Sequence, residues 1–136
     1  MLRQLRHDVW ATDRLIAHCR GLPAEQLERT VLGTYGTVRA TLAHIVSSDE
    51  GVERLFASGE VDGDRVIGDT PLRRPDQPRF EMAAWVPLTQ FVHHGNDHRS
   101  HVASILSANG VPGPDAQVWP YAMALDASRE VTEVAE

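Results

Sequence analysis

An all-α fold is what this sequence predicts, and three observations predict it. Apolar residues recur three and four positions apart over three long stretches. Residues that start helices stand before the second and third stretches, and glycine or proline follows the first and third. With 136 residues the chain suits one domain with one core. Its 42% apolar and 24% charged content places it among ordinary soluble globules.

The first predicted helix covers residues 2–20. Leu2, Leu5, Val9, Thr12, Ile16 and Cys19 form its inward stripe, with Gly21 as its C′ residue and Pro23 beyond. "PAEQLER" fits a further short turn, and "VLGTYGT" reads as loop. The second long helix is expected over 38–57. Thr37 is its N-cap, and Val38, Leu42, Ile45, Val52 and Phe56 are its apolar stripe. His44 sits beside that stripe, between Thr41 and Ser48. Residues 58–80, rich in Gly, Asp, Arg and Pro, read as loop. "DGD" within them lacks the further ligands and terminal Glu of a calcium-binding loop. The last long helix is expected over 87–108, with Pro87 at N1, Gly110 at C′ and Pro112 beyond. A short helix near 121–125 follows, and residues 127–136 form a frayed acidic tail.

The formal net charge of −6 argues against a general nucleic-acid or anionic-membrane surface, because both require clustered Lys and Arg. Cys19 is the only cysteine, so no internal disulfide can form, which fits a reducing compartment. The N-terminus carries charges where a signal peptide needs an apolar run. No apolar stretch approaches the roughly 20 residues that span a bilayer. A cytoplasmic protein is the expectation.

The chemistry concentrates in "FVHHGNDHRSHVASIL". On a helix, Phe91, His94, His98, His101 and Ile105 alternate by three and four and share one face, expected to point inward. His93 lies about 100° off that line. Histidines at i and i+4 present two nitrogens to one metal ion, and His44 is the natural third ligand. The same row also fits hydrogen-bonded core histidines without a metal. Gly95 stands where a zinc protease of the H-E-x-x-H type has its general-base Glu, which argues against that chemistry.

These residues resemble a known family. "TLAHIVSSDEGVERLF", followed by "HHGNDHRSHVASILSANGVPGPDAQVWPYA", is similar to the DinB superfamily of metalloenzymes. Its late-helix pattern is roughly N-H-x-x-x-H-R-G-Q, after an earlier helix with L-x-H. His94, His98 and Arg99 fall on the first, His44 on the second; "LPAEQL" after a first helix with a central Trp, here Trp10, also fits. The resemblance covers most of the chain. It implies an up-down-down-up four-helix bundle, often dimeric, with a divalent metal, zinc or nickel, on His44, His94 and His98. It also implies kinship with transferases or isomerases that use a low-molecular-weight thiol such as mycothiol or bacillithiol. Two departures stand out. Ser100-His101 replaces the family's Gly-Gln, and the region 58–80 holds no long third helix. With one bundle wall shortened or missing, a homodimer is the expected way to cover the exposed apolar faces.

Three neutral imidazoles leave a four-coordinate zinc one open position, where a water or thiol is acidified. The expected function is a metal-dependent enzyme acting on a small-molecule substrate, which the resemblance narrows to a thiol-dependent transferase; a non-catalytic metal-binding or stress-related module is the alternative. Cys19 reads as a packed apolar group. Arg99 reads as an ion-pair partner of Asp49, Glu50 or Asp97. Asp49 and Glu50 are candidate acceptors for a ligand's outer N–H. His101 is a partner of a ligand, a further ligand or a core polar residue. Trp10, Trp85 and Trp119 are candidates for the pocket wall or for plain core.

Overall fold

A computed structural model describes residues 2–68 and 80–128. Eight elements follow in order: α1 (Leu2–Arg20), α2 (Ala24–Leu27), α3 (Val38–Ser58), β1 (Glu60–Asp62), β2 (Arg65–Gly68), β3 (Phe80–Ala83), α4 (Trp85–Ala108) and α5 (Val118–Ala124). The protein is mostly helical, with one small antiparallel sheet of order β1-β2-β3.

Local chemistry sets the helix ends. At α3, the Thr37 hydroxyl accepts from the Ala40 N–H at 3.1 Å, so the expected N-cap is in place. At α4, Gly110 takes φ +73°. Its N–H bonds Ser107 O at 3.1 Å, and Val111 N–H reaches back to Leu106 O at 2.9 Å. That pair of bonds is a Schellman closure with glycine at C′, and Val111 then packs on the core. The end of α1 differs from expectation: Gly21 is not left-handed, and the helix ends in two i→i+3 bonds, Gly21 N–H to His18 O and Leu22 N–H to Cys19 O. Helix α4 starts two residues before the expected position. Pro87 is still within its first turn, where a missing N–H costs no intrahelical bond.

The reading of 58–80 as loop needs correction. Residues 60–62 and 65–68 form a hairpin, and β3 pairs with β2 from Arg65↔Ala83 to Gly68↔Phe80. Gly63, at φ +57°, occupies the first position of the two-residue turn, which admits such a backbone at little cost. Val66 is fully buried where β2 lies on α3. The strands are only three or four residues long and carry Gly, Asp and Arg, so no run of alternation was long enough to announce them. Residues 69–79 of that loop reading, and 129–136 of the expected tail, lie outside the described residues.

Helix α4 is the centre of the packing, against α3 on one side and α1 on another. Leu15 and Cys19 of α1, Val38 of α3, and Val102, Ile105 and Leu106 of α4 form one buried cluster. Val38 meets the end of α4, whereas His44 meets its middle, so α3 runs antiparallel to α4. Asp8 meets Arg99, and Cys19 packs with Leu106, so α1 runs parallel to it.

Two inward stripes were misplaced by the sequence. On α1 the buried face is Asp8, Ala11, Thr12, Leu15 and Cys19, while Leu2 and Val9 are exposed. On α4 the buried line is Gly95, Arg99, Val102 and Leu106. Phe91, His94, His98 and His101 flank it, partly buried, and only Ile105 of the expected row is fully buried.

Candidate metal centre

The middle of α4 meets α3 two turns past the Thr37 cap. There His44, His94 and His98 converge, their candidate ligand nitrogens all within 4.8 Å of one another. His44 Nε2 and His94 Nε2 are 2.8 Å apart. The ring centroids are 4.7 Å apart for His44 with either partner and 4.4 Å for His94 with His98. A tetrahedral zinc with bonds of about 2.0–2.1 Å needs nitrogens about 3.3 Å apart, so small side-chain rotations suffice. The three residues can hold one divalent ion. His93 is exposed and takes no part, as its position on the helix requires.

Burial, then the neighbouring His44, holds the His94 imidazolium below its usual range. Burial, then His94, His44 and His101, pushes His98 down to about 4, with Asp97 opposing. Neutral imidazoles expose the lone pairs a metal takes.

The outer nitrogens are treated unequally. His101 Nδ1 lies 3.3 Å from His98 Nδ1, so one ring donates to the other and His98 Nε2 is left for a metal. His101 is therefore a hydrogen-bonding partner of a candidate ligand. His94 Nδ1 is buried with no partner among the described residues, and becomes a donor in need of an acceptor once Nε2 coordinates.

Tyr35 escaped the sequence reading. Thr34 N–H closes a turn onto Val31 O at 3.2 Å, with Gly33 at φ +88°, the geometry of a type II turn. The turn lays the Tyr35 ring over His44 at 4.2 Å, nearly parallel, and edge-on to His98 at 4.9 Å. Tyr35 is 52% exposed, so it roofs the site from the solvent side. An aromatic between two glycines ahead of a histidine helix was the available signal. The tryptophans do not wall the site: Trp85 and Trp119 are exposed, and Trp10 packs with His7, Tyr121 and the Arg14 guanidinium.

Arg99 also departs from expectation. It is buried, 9% exposed, and pairs with Asp8 of α1 rather than with Asp49, Glu50 or Asp97. Its Nη2 donates to Asp8 Oδ1 at 2.5 Å and its Nη1 to Thr12 Oγ1 at 2.9 Å. Gly95 makes the room: a Cβ there would lie 2.6 Å from Asp8 Oδ2. Asp49 stands near this pair. Burial and the Asp8 charge push its carboxyl up to about 7 against the opposing pull of Arg99. Neither Asp49 nor Glu50 is hydrogen-bonded to a candidate ligand histidine; Glu50 faces Arg54 at 3.9 Å on the surface. Cys19 is a free thiol buried in the apolar cluster, as expected. No helix of the described residues is long and apolar enough to cross a membrane. Comparison of the chain with family models, with curated proteins and with solved structures gives no match.

Proposed function

We propose that this protein binds a divalent metal, zinc or nickel, through His44, His94 and His98, and uses it on a small-molecule substrate. The convergence of three imidazoles from two helices carries the reading. A divalent ion held there supplies Lewis acidity, lowering the pKa of a bound water or thiol. The chain's residues supply the rest. Three imidazoles fix the position, His101 orients His98, and Tyr35 covers one side while leaving solvent access. Cys19 sits in the core, so a thiol nucleophile would have to arrive as a low-molecular-weight cofactor, as in the mycothiol- or bacillithiol-dependent transferases of the DinB superfamily. The histidine pattern supports placing the chain as an outlying member of that superfamily, with a small sheet where its third helix would stand. A cytoplasmic location and a homodimer belong to the same reading. The half-exposed Val9 and Val46, on the groove between α1 and α3, support the dimer.

The alternative is a module whose metal only braces the fold. The geometry favours a working site over a brace, because α3 and α4 already share a buried apolar interface and do not need an ion to join them. Metal analysis of the purified protein, followed by zinc titration, tests the binding. One equivalent is expected, lost in His44→Ala, His94→Ala and His98→Ala and kept in His93→Ala. Absence of stoichiometric uptake by the unmodified chain would sink the proposal. A His94→Ala protein that loses metal yet keeps its melting temperature separates the working site from the brace.

A further inference from the structure

On the far side of α4 from the histidines lies a half-open cavity of about 760 Å3, lined by α1, α4 and α5. Its α4 wall is Val92, Asn96 and Arg99, a single face by helical spacing. Asn96 is two residues from both His94 and His98, about 200° around the helix, so this cavity and the metal centre occupy opposite sides of α4. The volume lies within the range of small-molecule sites.

The cavity has an apolar body and a cationic mouth. Its α5 wall is formed by Val118, Tyr121, Ala122 and Leu125. Val118 and Leu125 remain 60% and 57% exposed, which leaves apolar area for a ligand to cover. The far edge is pinned, because His7 Nε2 reaches Ala116 O at 3.2 Å and His7 and Trp10 pack on Tyr121. Arg3 and Arg6 stand at the α1 side. Among the described residues Asp8 is the only acid of the lining; it is fully buried, its Oδ1 pairs with Arg99, and its Oδ2 has no partner. Arg3 and Arg6 make no ion pair among the described residues. Two guanidinium groups without a counter-charge among the described residues, on a chain of net charge −6, mark this mouth for an anion.

We propose that this cavity binds a small amphiphilic organic anion, its apolar body against α5 and its carboxylate, sulfonate or phosphate at Arg3 and Arg6. Binding is tested on the full-length chain by fluorescence titration with 1-anilinonaphthalene-8-sulfonate, using octanoate and 1-octanol as competitors. Octanoate should displace the probe, and 1-octanol should compete about tenfold more weakly, because it lacks the charge that the arginines meet. The double variant Arg3→Gln/Arg6→Gln should lose about tenfold in affinity for octanoate and most of its salt dependence. Ala122→Trp, which fills the cavity, should abolish probe binding with an unchanged circular dichroism spectrum. His94→Ala should bind the probe as the unmodified protein does, whatever becomes of the metal. Equal competition by octanol, or unchanged octanoate affinity in the arginine double variant, would overturn the proposal, as would no displacement at about 1 mM octanoate. Probe binding only by a chain ending at Ser128 would assign the cavity to the chain's own C-terminal residues and overturn it equally.

Discussion

Replacing Gly95 with alanine puts a methyl group into the buried ion pair. The new Cβ would stand 2.6 and 2.9 Å from the two Asp8 carboxylate oxygens and 2.7 Å from Arg99 Nη1, all inside van der Waals contact. Neither partner has an easy retreat. Asp8 is fully buried on a short side chain, and Arg99 Nη1 is held by the Thr12 hydroxyl and the Asp8 carbonyl. Breaking a buried pair costs about 3–5 kcal/mol, since each charge is left without its partner in a dry place. Alanine regains about 1 kcal/mol of helix propensity over glycine. The net expectation is a loss of about 2–4 kcal/mol, measured by urea denaturation at pH 8. Gly21→Ala is the control: its Cβ would meet nothing closer than His18 O at 3.5 Å, and its stability should shift by less than about 1 kcal/mol. A Gly95→Ala protein as stable as the parent would show that the pair moves freely, and the account of α1 on α4 would fail with it.

Asp49 gives a pH prediction. Its carboxyl is raised to about 7, mainly by burial, so between about pH 4 and 7 the folded state holds a proton that the unfolded chain releases. Its contribution to stability therefore falls as pH rises through that window. Asp49→Asn should match the parent at pH 4 and exceed it at pH 8, by at most about 4 kcal/mol; equal stabilities at both pH values would refute the assignment. His101→Ala should weaken zinc binding about tenfold or more, and His101→Gln should recover part of it, read by competition with a chromophoric chelator. If His101→Ala binds zinc as the parent does, the bond to His98 contributes nothing. Sedimentation equilibrium should show a dimer at micromolar concentration that Val46→Glu dissociates; a monomeric parent protein counts against the groove between α1 and α3.

The long helices were legible because each is a periodic apolar stretch with its own start or stop residue, and Thr37 and Gly110 act as their types suggest. The convergence of His44, His94 and His98 was legible because i, i+4 spacing is a local property of one helix, and His44 lay beside another apolar stripe. What failed was the burial of charge. Asp8 and Arg99 occupy core positions, where a hydrophobicity rule puts Val9 and Ile16 on α1 and Phe91 on α4. Nothing in "LRQLRHDVW" announces that its aspartate faces an arginine 91 residues away. The only local hint is that Asp8 shares the i, i+4, i+7, i+11 line of Thr12, Leu15 and Cys19. Tyr35 failed for another reason. A loop residue's place depends on the turn at Gly33, which helical periodicity does not describe.

These two failures bear on how the candidate centre works. Helix α4 carries imidazoles on one flank and Arg99 on its buried line, so little of its middle is held by apolar contact. Polar groups locate it instead, through Arg99 to α1 and through the histidines to α3. Polar contacts have narrow geometric optima, whereas apolar ones tolerate sliding. A helix fixed in this way holds His94 and His98 in one register against His44. Burial and the neighbouring imidazoles hold His94 and His98 below the usual histidine range, which favours their neutral forms. The ion pair thus helps to hold the candidate ligands in place, and burial with crowding favours the neutral forms of His94 and His98, two conditions that a metal site needs before any ion arrives.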